Sequence, residues 1–157
     1  MSCDVALAAY LFLASTGPAT QPAVVPALSA PASVAHEPLF ADIVARAGKL
    51  KAQVESYRTP ALKASAAASP LPGFDGFKAR IGDLAALDMK GHEELARRGT
   101  DGDLKCILKG ISADLGAKLR DLAGAPTGAA QDHALRDMAY LLNDNVEVIT
   151  APPKPAV

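Results

Sequence analysis

Two amphipathic stretches lie back to back between Asp103 and Thr150, separated only by Gly124-Ala125-Pro126-Thr127. In the first, Leu104, Leu108, Ile111, Leu115, Leu119 and Leu122 recur at gaps of three and four, with Ile107 beside them. That spacing gathers them on one face of an α-helix. Thr100 is placed to cap its start, and Asp101 and Asp103 fall in the first turn, where the helix dipole favours negative charge. Gly124 is placed to end this arm in a left-handed conformation, and Pro126 bars its continuation. In the second stretch, Leu135, Met138, Leu142, Asn145 and Ile149 form one seam, broadened by Leu141, Val146 and Val148. Thr127 is its natural cap, and Pro152 and Pro153 bar extension past Thr150. A connection this short makes the two arms antiparallel. Stripes this wide are too broad for two helices to bury alone, so the rest of the chain must supply more helices.

Two are found upstream. Between His36 and Arg58, the residues Phe40, Ile43, Ala47, Leu50, Val54 and Tyr57 alternate gaps of three and four, flanked by Leu39 and Val44. Arg46, Lys49, Lys51 and Glu55 fall elsewhere on the wheel, as a solvated face requires. Ser33 or Glu37 serves the start, and Pro60 marks the end. Between Phe74 and Arg98, the seam is carried by Phe74, Phe77, Ile81, Leu84 and Leu95, and Gly99 ends the helix. Thr59 to Gly73 is a Pro/Ala/Ser-rich connection, longer than the roughly 2–8 residues usual between bundle helices. The sequence leaves open whether it packs along the bundle or stays loose. The expected fold is all-α: an antiparallel four-helix bundle, up-down-up-down, over residues 35–150. Half of the residues are hydrophobic, yet only 4% are aromatic and Trp is absent. Such a composition suits close-packed helices and argues against a β-sandwich.

Ahead of the domain, Val5 to Ala14 is an uninterrupted apolar run. It is too short for a transmembrane span, which takes about 20 residues, and it matches the apolar core of a secretory signal. Residues 1–19 are therefore read as a signal peptide, with Gly17-Pro18-Ala19 the best cleavage site. No Lys or Arg precedes the run and Asp4 stands there instead, which fits a start upstream of Met1. Residues 20–34, with Pro22, Pro26 and Pro31, read as a disordered Pro/Ala-rich linker. Residues 151–157 read as a disordered tail. The implied location is periplasmic or secreted; it is cytoplasmic if the apolar segment is an ordinary packing helix. Cys3 is lost with the signal on this reading, which leaves Cys106 a lone thiol and implies no disulfide framework.

The formal net charge is −1 with acids and bases interspersed, so no basic field invites nucleic acid. No Gly-x-Ser-x-Gly, phosphate loop or His-Glu-x-x-His occurs, and no enzymatic activity is expected. Asp88 and His92, with Leu87 and Gly91 beside them, are the one place where polar residues interrupt an apolar seam. They stand four apart, a spacing that metal ligands use on bundle helices. These two are the metal-site candidates, but a metal needs further ligands, and Cys106, His36 and His133 are not placed to join them. The alternative is an internal hydrogen-bonded pair. Asn145, on the seam of the last helix, carries an amide that needs a buried partner and is placed to meet Asp88 or His92 across the core.

Met138 followed by Leu142-Asn143-Asp144-Asn145 resembles the first helix of the small periplasmic four-helix cytochromes that bind haem b. In that family a Met and a His from the last helix ligate the iron. Here the likeness is short and falls on the last helix, Met138 lies one residue further from the Asn-Asp-Asn run, and no His follows His133. Met138 is therefore read as core and no cofactor is expected. Lys90, Arg97, Arg98, Lys105 and Lys109 gather at one corner, but Glu93, Glu94, Asp101 and Asp103 are interleaved, as on a mixed solvated surface. The function implied is a non-enzymatic, exported helical module that binds a protein partner or plays a structural role. Tyr140, Leu141, Val146 and Val148 of the last helix would meet that partner or a second copy. The alternative is a periplasmic haem- or metal-binding bundle.

Overall fold

A computed structural model describes residues 33–99 and 102–151. Among these residues every regular element is a helix: α1 (Pro38–Tyr57), α2 (Pro60–Ala64), α3 (Phe74–Arg98), α4 (Gly102–Ala123) and α5 (Gly128–Thr150). The signal segment, most of the linker, the expected cap Thr100 with Asp101, and the tail with Pro152 and Pro153 lie outside the described residues.

The seam of α1 is the one its periodicity dictates: Phe40, Ile43, Ala47, Leu50, Val54 and Tyr57 are buried. Pro38 stands in the first turn, where its missing N–H leaves no helical bond unmade. Glu37 takes the cap position without making a capping bond. Its carboxylate instead receives two bonds from Arg98, at 2.9 and 2.6 Å. Val34, assigned to the linker by composition, is also buried, so the core begins ahead of α1. Gly99, with φ of 70°, ends α3 as expected, its amide bonded to the Leu95 and Ala96 carbonyls. The end of α4 differs from expectation. Among the described glycines only Gly73 and Gly99 have positive φ. Gly124 instead donates a last helical bond to Arg120, and the chain turns to Pro126 and Thr127. The Thr127 hydroxyl then accepts from the Ala130 N–H at 3.1 Å and caps α5.

Contacts between helices close a ring: α1 packs on α3 and α5, and α4 packs on α3 and α5. Side chains set the direction of three of these pairings. From α1 to α5, Lys51 meets Asn143 and Arg58 meets Asp132. From α1 to α3, Glu37 meets Arg98, and the Tyr57 ring meets Phe77 edge-on at 5.9 Å. From α3 to α4, Ala85 meets Ser112 and His92 meets Lys105. In each pair the numbers rise along one helix as they fall along the other. Inside the ring, Phe40, Ile43, Ile81, Leu84, Leu108, Leu115, Leu142 and Ile149 are essentially sealed from solvent. Burial of side chains of this size is worth ~1.5–3 kcal/mol each. Gly91 permits the close approach there: a Cβ on it would stand 3.0 Å from Leu108 Cδ1 and 3.3 Å from Phe40 Cε1.

The Pro-rich connection is structured, and it adds a helix to the expected four. Pro60 opens α2 as well as following α1. The Thr59 hydroxyl accepts from Leu62 N–H at 3.2 Å, and Pro60 takes the first helical position. α2 packs on α5 and buries Leu62. The chain after it is strapped to the start of α5. Gln131 accepts from Ser69 N–H at 3.0 Å and donates to its carbonyl at 2.9 Å. Gly128 N–H donates to the Ser65 carbonyl, and the Tyr57 hydroxyl to the Pro72 carbonyl. Asp132 takes an ion pair from Arg58 and a longer one from Lys63. A Cβ on Gly128 would collide with the Leu62 carbonyl oxygen and with Ser65.

Gly128→Ala is therefore expected to destabilise the protein by about 1–3 kcal/mol, as overpacking does, and to expose the Ser69 amide to exchange. Gly110→Ala, which meets nothing within 4 Å, should be neutral or stabilise by ~0.5–1 kcal/mol. Chemical denaturation combined with hydrogen exchange checks both. Wild-type stability and protection in Gly128→Ala would contradict the strap.

Candidate functional site

α3 and α5 stand across the ring from each other, with their backbones farther apart than those of neighbouring helices. One polar contact nonetheless joins them through the core. Asp88 takes its place on the α3 seam between Leu84 and Leu95, and Asn145 on the α5 seam between Leu142 and Ile149; both are fully buried. The Asn145 Nδ2 donates to Asp88 Oδ2 at 2.9 Å and Oδ1 at 3.2 Å. This is the cross-core pairing that the seam positions of the two residues suggest.

Burial pushes the Asp88 carboxyl from its ordinary 3.8 up to about 7, with the Asn145 hydrogen bond acting in the opposite direction. No cationic side chain offsets the desolvation, so near neutral pH the proton is readily retained. Asn145 Oδ1 is buried with no hydrogen-bond partner. A protonated Asp88 supplies the donor that this oxygen lacks: a small rotation of the amide would close a two-bond acid–amide ring. The chemistry open to the pair is to hold or release one proton inside a sealed core.

His92 does not join it. Its ring is half-buried, and Nδ1 lies 2.7 Å from the Lys105 carbonyl oxygen. A carbonyl only accepts, so Nδ1 carries the proton. The two metal-site candidates thus serve different neighbours, Asp88 reaching to α5 and His92 to α4. Among the described residues, no three His, Cys, Asp or Glu side chains gather around one point as metal ligands would. The residues of the haem resemblance are likewise dispersed. Met138 is fully buried in the core, while the His133 side chain is 62% exposed and lies 3.5 Å from Asp137.

Cys106 is disulfide-bonded, which corrects the expectation of a lone thiol. That expectation depended on losing the chain's other cysteine, Cys3, with a signal peptide; Cys3 lies outside the described residues. At the basic corner, Arg98 bridges Glu37 and Glu94, and Arg97 also binds Glu94. The guanidinium groups hold both carboxyls below their usual range. A cleft of about 570 Å³ between α1, α2 and the strapped segment is lined by Tyr57, Leu62, Ser65 and Ser69 among others, without a charged side chain.

The outer face of α5 is the remaining candidate. Tyr140 is 71% exposed, the one large hydrophobic side chain among the described residues left in solvent. Leu141, Val146 and Val148 are half-buried and pack against the core, so the apolar width expected of this face reduces to the Tyr140 ring. Compared with known protein families, with curated proteins and with solved structures, the chain matches none.

The buried acid makes stability pH-dependent in a definite direction. A carboxyl whose pKa is raised on folding contributes stability that is fully present below the unfolded value and is lost as pH rises through the folded one. The window here runs from about pH 4 to about pH 7. Asp88→Asn should match the wild type at pH 4 and exceed it by up to about 4 kcal/mol at pH 8, the worth of a displacement of this size. Urea unfolding of both proteins across that range checks it. A stability difference that does not change with pH would contradict a buried, proton-retaining Asp88.

Proposed function

We propose that this chain is a non-enzymatic, exported helical module whose role is to bind a protein through the outer face of α5. Its body is an antiparallel four-helix bundle of α1, α3, α4 and α5, up-down-up-down, with α2 as a cap at one end. The ring of contacts and the opposed numbering of the paired residues support this topology.

The observation that carries the functional reading is the exposure of Tyr140. Tyrosine presents a broad apolar ring with a polar tip, and it is enriched where one protein covers another. Here it stands in mid-helix with Arg136 and Asp144 one turn to either side. The other notable polar groups already have architectural work: Asp88 and Asn145 cross the core, while Gln131 and Asp132 fasten the segment around α2.

Replacing Tyr140 with the photoreactive p-benzoylphenylalanine in the producing cells tests the reading. Irradiation is expected to yield one discrete protein adduct. The same replacement at Lys109, exposed on α4, should yield none. Absence of any adduct at position 140 would overturn the proposal.

A further inference from the structure

We infer that the protein covering this face is a second copy of the same chain, laid antiparallel with a two-fold axis at Tyr140, an inference that rests on the docking role proposed above for α5. Counting from Tyr140, His133 and Arg136 lie seven and four residues before it, and Asp144 and Glu147 four and seven residues after it. Those offsets place all five on one stripe of the helix. The stripe is basic on one side of the tyrosine and acidic on the other, at matching spacings. A copy turned about Tyr140 sets Arg136 of each chain against Asp144 of the other, and His133 against Glu147. A parallel copy would set like charge against like. The face is thus self-complementary in the sense that a two-fold interface requires, and the two aromatic rings meet on the axis.

The order of these charges points the same way. A helix favours acids in its first turn and bases in its last. α3 follows this with Asp75 at its start and Arg97 and Arg98 at its end, and α4 follows it with Asp103 and Arg120. α5, like α1, has neither an acid in its first turn nor a base in its last. Its outer stripe carries the bases in the first half and the acids toward the end, against its own dipole. An antiparallel partner reverses the field, bringing the basic half and positive end of one helix over the acids of the other.

The central pair, Arg136 and Asp144, is also available, while Glu147 accepts from Asn143 Nδ2 at 2.7 Å and His133 lies 3.5 Å from Asp137. Asp144 has no hydrogen bond or ion pair among the described residues. The acid nearest Arg136 is Asp137 at 4.0 Å, and Asp137 is already held by Lys118 at 3.2 Å.

Sedimentation equilibrium of the full chain tests this. The wild type should form a dimer that weakens as salt rises. Arg136→Glu and Asp144→Arg should each weaken it by about tenfold, since both symmetric pairs turn repulsive at once. The two substitutions together should restore it. Circular dichroism establishes that each variant is folded. A wild type that stays monomeric at low salt, or a double variant no better than the singles, overturns the inference. An adduct at position 140 with a different protein would overturn self-association and leave the docking role standing; no adduct there would remove both.

Discussion

None of the four long helices can bury its apolar stripe against a single neighbour, and the ring of α1, α3, α4 and α5 follows from that constraint. Each seam faces inward and is covered by the others. The ring is tight enough that a side chain at Gly91 would press on Phe40 and Leu108. It is also tight enough to seal a carboxyl away from water. Asp88 has Asn145 as its one polar partner, so the seal raises its pKa where a nearby cation would have lowered it. A buried polar pair of this kind adds little net stability, but it penalises any helix register that separates the two groups.

Most of this was legible in the sequence, because a period of three and four identifies a seam whatever packs on it. The seams of α1 and α5 are buried residue for residue, and the polar residues on the seams of α3 and α5, Asp88 and Asn145, find each other. What escaped depended on context. Pro60 follows one helix and opens the next, and only its partnership with Thr59 distinguishes the second role. Gln131 continues the α5 seam back toward the helix start, a signal that could have foretold the strapping of the Pro-rich segment. His92 sits one turn from Asp88, but the extra rotation turns it to the Lys105 carbonyl on α4. Gly124 takes no left-handed conformation and instead donates a last helical bond to the Arg120 carbonyl. The bonding of Cys106 was beyond reach, since no local pattern around it signals a disulfide.

The polar groups therefore divide by what surrounds them. Those on the seams are sealed and hold register. Those at the start of α5 fasten the strap. On the outer stripe of α5, Glu147 and His133 have partners on their own helix, while Asp144 and the Tyr140 ring stand without one among the described residues. Function resides in a site and not in an architecture. The stripe's order of bases and acids runs against the dipole of the helix that bears it, and that order is what the proposed docking role draws on.

The four seams close around Asp88 and keep water from it. The most direct measurement is an NMR titration of the Asp88 side-chain carboxyl carbon. A midpoint near pH 7, well above the ordinary 3.8, is the result that a closed ring predicts. A midpoint at the ordinary value would mean a wet carboxylate and a ring that does not close.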